Sequence, residues 1–133
     1  MGAIAMSECE VAALRILVVD DDTNVRKALA VSLETDGHTT VAVSNGPDAL
    51  AEASRQHFDV AFVDLRLKTA SGLDLIPALL ARSPWLQIVI ITAHDSPSLR
   101  EECMNAGAIE YLCKPLDIRA LVKAVSQVMP SAG

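Results

Sequence analysis

Aromatic residues are scarce in this chain: one Trp, one Tyr and two Phe make up 3% of the sequence. A surface that stacks bases or sandwiches a flavin needs more rings than that. Basic charge is also in deficit, eleven Lys plus Arg against seventeen Asp plus Glu, a formal net charge of −6. Such a chain has no general attraction for phosphate backbones, so direct nucleic-acid binding by this stretch is not expected. No apolar run approaches the roughly 18 residues that span a bilayer, and no membrane association is expected. The opening residues, Met1 to Met6 followed by Glu8 and Glu10, lack the basic start of a secretory signal. Gly2 is no myristoylation signal, because position 6 is Met. Cys9, Cys103 and Cys113 form no CxxC pair, and His38, His57 and His94 are scattered singly. There is no zinc pattern, and reduced thiols in a cytoplasmic protein are expected.

What the chain does have is aliphatic residues. Hydrophobic side chains make up 51% of 133 residues and charged ones 21%, the profile of one compact domain. Short β-branched runs alternate with helical patterns. The apolar run 14–19 stops at Asp20-Asp21-Asp22, and Val25, Ala28, Leu29, Ser32 and Leu33 then repeat at helical spacing until Asp36-Gly37. A strand over 39–43 leads through Asn45-Gly46-Pro47-Asp48 to a helix reaching about Gln56. The strand 58–63 again ends in an acid, Asp64. A small-residue loop, 68–72, precedes a helix over 73–82 that Ser83-Pro84 breaks. Then come a strand over 86–91 ending at Thr92, a helix over 96–105 stopped by Ala106-Gly107, a strand over 109–113 and a helix over 116–129.

Strands that each precede a helix predict a doubly wound, five-stranded parallel sheet, a three-layer α/β sandwich. The strands do not alternate polar with apolar because both faces are covered. The expected organisation is a flexible N-terminal segment over 1–13, one domain over 14–129, and a tail over 130–133 that begins a linker or simply ends the chain.

In such folds ligands bind outside the carboxyl ends of the strands, where the winding reverses. Those ends carry Asp20, Asp21 and Asp22, then Asp64, Thr92 and Lys114. If the strand order is 2-1-3-4-5, the first and third strands are neighbours and their acids meet. Converging carboxylates repel unless a cation compensates, and Mg²⁺ prefers oxygen ligands of this kind. Carboxylates, a hydroxyl and a lysine in one cleft make a phosphoryl-transfer site, in which a carboxylate nucleophile becomes an aspartyl phosphate.

The segments Ile16-Leu17-Val18-Val19-Asp20-Asp21-Asp22, Val63-Asp64-Leu65-Arg66-Leu67, Ile90-Ile91-Thr92-Ala93 and Tyr111-Leu112-Cys113-Lys114-Pro115 together resemble the receiver domain of two-component response regulators. The resemblance covers about 14–129 and supplies the flavodoxin-like strand order 2-1-3-4-5. It implies that Asp64 is the phosphoacceptor, supplied by a cognate sensor histidine kinase. It further implies that Asp20 and Asp21 form the acidic Mg²⁺ pocket, Asp21 the more direct ligand, with Asp64 and the main-chain carbonyl of Arg66 completing it. Thr92 and Tyr111 resemble the switch pair, with Tyr111 turning inward on activation, and Lys114 resembles the phosphate-contacting lysine, followed by a cis bond to Pro115. Slow self-dephosphorylation rather than enzymatic turnover is implied; His94, two beyond Thr92, is expected to be solvated, an influence on the dephosphorylating water being the alternative, and Arg66, two beyond Asp64, is open in the same way.

Leu65-Arg66-Leu67, Ser71-Gly72-Leu73-Asp74, Pro84-Trp85 and Thr92-Ala93-His94 are most similar to receivers of NtrC-type, sigma-54-dependent transcription activators. Those carry an ATPase and a DNA-binding output domain, neither within this chain. A homodimer through the last helices is one arrangement left open. One departure is Lys68-Thr69-Ala70, where many receivers place Pro shortly after the phosphoacceptor.

Blander readings compete. Asp22 is expected to cap the first helix, Trp85 to pack partially, and Arg100-Glu101-Glu102 to form a solvated face. Tyr111 is either core or a mobile ring. A haloacid-dehalogenase-like phosphohydrolase would use Asp20 as nucleophile, but it wants Thr where Asn24 stands and a late acidic pair where only Asp117 follows Lys114. A receiver fold kept purely for docking or dimerisation is the third reading, disfavoured by the intact acids, Thr92 and Lys114.

Overall fold

A computed structural model of the chain describes residues 13–67 and 71–116, together with Leu121 and Ala124. Five strands, β1 (Arg15–Val19), β2 (Thr39–Val43), β3 (Val60–Asp64), β4 (Gln87–Thr92) and β5 (Glu110–Cys113), alternate with helices α1 (Thr23–Thr35), α2 (Gly46–Arg55), α3 (Gly72–Arg82) and α4 (Pro97–Ala106). Most of the expected helix over 116–129 lies outside the described residues; Leu121 and Ala124, which are described, are helical and buried. The N-terminal segment 1–12, Lys68-Thr69-Ala70 and the tail 130–133 also lie outside them.

All four strand pairings are parallel, in the order β2-β1-β3-β4-β5. Alternate residues of each strand face opposite sides, and this divides the core in two. Leu17, Val19, Ala61, Val63, Ile88 and Ile90 pack with Ala49, Leu75, Ile76, Leu79 and Cys103 from α2, α3 and α4. Ile16, Val18, Val60, Phe62, Val89 and Ile91 pack on the other side with Leu29 and Leu33 of α1 and with Leu121. Apolar burial on both faces is why β1, β3 and β4 read as unbroken hydrophobic runs.

Each helix starts on a side chain that takes up an otherwise orphaned N–H. Asp22 accepts from Asn24 and Val25, Asn45 from Asp48, Ser71 from Leu73 and Ser96 from Leu99. Asp22 therefore caps α1 as expected. At the other end of α4, Gly107 takes φ +122°, a conformation closed to most side chains.

The structure differs from the sequence reading in places. The buried stripe of α1 is narrower, because Leu29 and Leu33 are buried while Ala28 is exposed. The third strand begins at Val60 rather than 58, since Asp59 turns its carboxylate back to accept the Arg15 N–H (2.9 Å) and closes the sheet's lower end. Pro77 lies inside α3, on its exposed side. An interior proline costs about 3 kcal/mol in a free helix. Here the burial of Leu75, Ile76 and Leu79 around it holds the helix together.

Candidate functional site

The strand order puts β1 and β3 side by side, so Asp20, one residue past β1, faces Asp64, the last residue of β3. Carboxylate oxygens of Asp20, Asp21 and Asp64 lie within 4.8 Å of one another. The acids that the sequence separates by more than forty positions are thus brought together. Asp22 points elsewhere, into its helix cap.

The three acids differ in what already holds them. Asp20 is fully buried; its Oδ1 accepts the Asp22 N–H (2.8 Å), and its Oδ2 sits 2.8 Å from Lys114 Nζ. That Oδ2 receives no well-aligned hydrogen bond, so it is a buried anionic oxygen with only a charge for company. Asp64 is 5% exposed; its Oδ1 accepts the Arg66 N–H (3.2 Å) and its Oδ2 faces Lys114 Nζ (3.2 Å). Asp21 is the half-exposed member of the group.

Burial and then the charge of Asp20 push the Asp64 carboxyl above its ordinary pKa, although the Arg66 N–H and Lys114 pull against them. Burial alone would lower Lys114, but its contacts with Asp20 and Asp64 outweigh that and hold it above the usual lysine value. The lysine is therefore charged and bridges two acids. Three clustered carboxylates, one of them with an oxygen that lacks an aligned donor, against one ammonium leave a site short of positive charge. Its all-oxygen donor set suits a hard divalent cation.

Thr92 ends β4 and is fully buried. Its hydroxyl accepts the His94 N–H (3.1 Å) and also approaches the His94 carbonyl (3.3 Å). Tyr111 donates its hydroxyl to that same carbonyl (3.1 Å). The ring is 3% exposed and packs in the core cluster. Arg100, exposed as expected with Glu101 and Glu102, also lies over that ring at 5.7 Å and pairs with Glu110 (3.8 Å). The Lys114–Pro115 bond is cis, as the resemblance implied.

Several participants were not singled out from the sequence. Arg26 donates to the Asp20 main-chain carbonyl (2.7 Å) and to Thr23 Oγ1 (3.0 Å), tying the acidic run to the first turn of α1. A basic residue one turn into a helix after an acidic strand end was the available signal. The His94 carbonyl, shared by Thr92 and Tyr111, had none, because a main-chain acceptor is the same at every position.

The chain belongs to the response regulator receiver domain family, whose sequence profile matches residues 16–126. That family consists of signalling domains rather than catalytic enzymes. The chain is 40% identical over 101 residues to the alginate biosynthesis transcriptional regulatory protein AlgB of Pseudomonas aeruginosa, an alignment covering 76% of this chain and 22% of AlgB. The chemotaxis protein CheY4 of Vibrio cholerae superposes with a TM-score of 0.83 at 28% identity, over 89% of this chain and 100% of that one. A response regulator of Burkholderia pseudomallei, solved with a phosphorylated aspartic acid, a calcium ion and citrate, superposes with a TM-score of 0.80 at 32% identity, over 84% of this chain and 65% of its own. The receiver fold with order 2-1-3-4-5 and the likeness to NtrC-type regulators are both borne out. The chain spans about a fifth of the length of AlgB and about a quarter of FleR, two of the curated relatives it matches.

Proposed function

We propose that this domain is a phosphoacceptor switch: Asp64 takes a phosphoryl group from a sensor histidine kinase, and the changed surface controls an output domain elsewhere in the protein. The single observation that carries this reading is the meeting of Asp20, Asp21 and Asp64 within 4.8 Å beneath the Lys114 ammonium. The phosphorylated aspartic acid of the Burkholderia relative supports it by likeness.

The acids have distinct parts in this reading. Each Asp64 oxygen takes one 3.2 Å contact, so lone pairs remain on both for attack at phosphorus. Asp20 is the poorer nucleophile, with one oxygen on the Asp22 N–H and the other against Lys114 in full burial. The new P–O bond forms as the P–N bond to the kinase histidine breaks, and the imidazole leaves. Asp21, Asp20, Asp64 and the Arg66 carbonyl would hold Mg²⁺, which when bound neutralises charge on the transferring group. Lys114 supplies a point charge to a phosphoryl oxygen, and the Thr92 hydroxyl donates to another. Thr92 then leaves the His94 carbonyl, which keeps only Tyr111, and residues 93–96 carry the change to α4. The output is a shift of population between surfaces, and slow hydrolysis of the acyl phosphate resets it.

The wider setting follows the same reading: a domain over 14–129 in a cytoplasmic regulator whose ATPase and DNA-binding parts lie beyond this chain, paired through the last helices. No helix among the described residues is long and apolar enough to cross a membrane. Incubation with Mg²⁺ and acetyl phosphate, followed by mass-spectrometric mapping of a hydroxylamine-sensitive adduct, tests it. Label on Asp64 supports the switch. Label on Asp20 replaces it with a hydrolase, and no label replaces it with a docking module.

A further inference from the structure

The first turn of α3 rests on the backbone of the phosphoacceptor itself. A Cβ built at Gly72 would lie 2.3 Å from the Asp64 carbonyl oxygen, 2.9 Å from Leu65 Cα and 3.0 Å from the Asp64 carbonyl carbon. All three are main-chain atoms, so no flexible side chain can swing aside to make room. The Asp64–Leu65 peptide is held from its other side by β4, through the Leu65 N–H on the Ile91 carbonyl (2.9 Å), and the next peptide is held from α3 by the Gly72 N–H on the Leu65 carbonyl (2.8 Å). Between these two anchors an isolated antiparallel bridge pairs Arg66 with Ser71.

From this packing we infer that Gly72 is a positioning residue for the phosphoacceptor: its bare Cα lets α3 clamp the 64–66 backbone against β4 and so sets the Asp64 carboxylate and the Arg66 peptide. Three features depend on that clamp. The Arg66 N–H meets Asp64 Oδ1 only while the peptides between them keep their present rotation. The other Asp64 oxygen must stay within reach of Lys114. The Arg66 carbonyl, on the next peptide, turns with the same segment. A methyl at position 72 must push α3 away or rotate the Asp64–Leu65 peptide, and either movement spreads the cation's oxygen ligands. The conformation of Gly72 is an ordinary helical one, so what matters is the space rather than the dihedral freedom.

The inference rests on the reading of Asp64 and its acids as the phosphoryl and Mg²⁺ site, and the test separates the two. In wild-type protein, Mg²⁺ binding is measured by calorimetry and Asp64 labelling by acetyl phosphate. Absence of both overturns the reading of the site itself and the role of Gly72 with it. With both present, Gly72→Ala is expected to weaken Mg²⁺ roughly tenfold or more, the loss typical when a support of a metal ligand is removed, and to slow labelling in parallel. Leu79→Ala, which opens the core on the same helix far from the strand ends, is the control for lost stability and is expected to leave Mg²⁺ affinity close to wild type. Equal Mg²⁺ affinity in Gly72→Ala and wild type, or equal losses in both variants, overturns the inference.

Should Gly72→Ala fail to fold, hydrogen exchange on the wild type reads the same coupling. Mg²⁺ at about ten times its dissociation constant should slow exchange of the Gly72 N–H roughly tenfold, because openings that free it also break the cation site. The Gln56 N–H at the end of α2, bonded to the Glu52 carbonyl, should not respond. A Gly72 amide as indifferent to Mg²⁺ as that of Gln56 overturns the inference.

Discussion

Lys114 is the internal counter-ion of the acidic site, and replacing it by Met tests this directly. Its ammonium lies 2.8 Å from Asp20 and 3.2 Å from Asp64, with the lysine side chain 18% exposed and Asp20 fully buried. At an effective dielectric constant near 20, those separations correspond to about 6 and about 5 kcal/mol of gross attraction. Desolvation of the lysine cancels much of this, and removing one partner of a buried pair costs about 3–5 kcal/mol in practice. Partial exposure argues for the lower end, about 3 kcal/mol lost by Lys114→Met in chelator at neutral pH. With a urea m-value of about 2 kcal/mol/M, the midpoint falls by about 1.5 M. Trp85, the single tryptophan, lies before β4 at the opposite end of the sheet, so its fluorescence follows global unfolding rather than the site. Saturating Mg²⁺ should close most of the gap, because a cation that no longer competes with the ammonium binds the variant more tightly and stabilises it by mass action. A variant as stable as wild type in chelator, or a gap unchanged by Mg²⁺, refutes the counter-ion role.

Asp21→Asn should weaken Mg²⁺ binding by at least about tenfold in calorimetry while leaving the urea midpoint unchanged or higher, since it removes a repelling charge; unaltered affinity contradicts its place among the ligands. Asp22→Ala should instead cost about 1 kcal/mol of stability through the lost helix cap and leave Mg²⁺ affinity nearly unchanged, the reverse pattern. His38 is 5% exposed and accepts the Leu14 N–H on Nδ1 (3.0 Å), which requires that nitrogen unprotonated. Burial lowers its pKa, with Asp36 opposing. Below the ordinary value of 6.5 the unfolded chain therefore binds more protons than the folded one, and stability should fall as pH drops from that point toward the folded value. His38→Gln should flatten this slope between pH 7 and 5, and parallel curves for the two proteins would count against it.

The strand-end chemistry was legible because a parallel sheet converts a one-dimensional pattern into one edge. Once 14–19, 58–63, 86–91 and 109–113 read as buried parallel strands, Asp20, Asp64, Thr92 and Lys114 had to share that edge, whatever the loops between them did. The clamp on Asp64 was not legible in the same way. Gly72 read as part of a small-residue loop, since the atoms it must clear belong to a backbone eight residues earlier and leave no mark on the composition around it. The His94 carbonyl that joins Thr92 to Tyr111 is equally silent, as is the Asp59 carboxylate that turns back on Arg15. The Arg100 contact with Tyr111 was hidden for a different reason: on its own helix it stands beside two acids and reads as solvated, and only β5 supplies the ring and Glu110 that hold it. Side chains that do the chemistry are announced by type and order, whereas what aims them depends on main-chain approach between distant segments. Conservative changes at the silent positions should therefore disturb function out of proportion to their chemistry, and a methyl group at residue 72 is the sharpest instance.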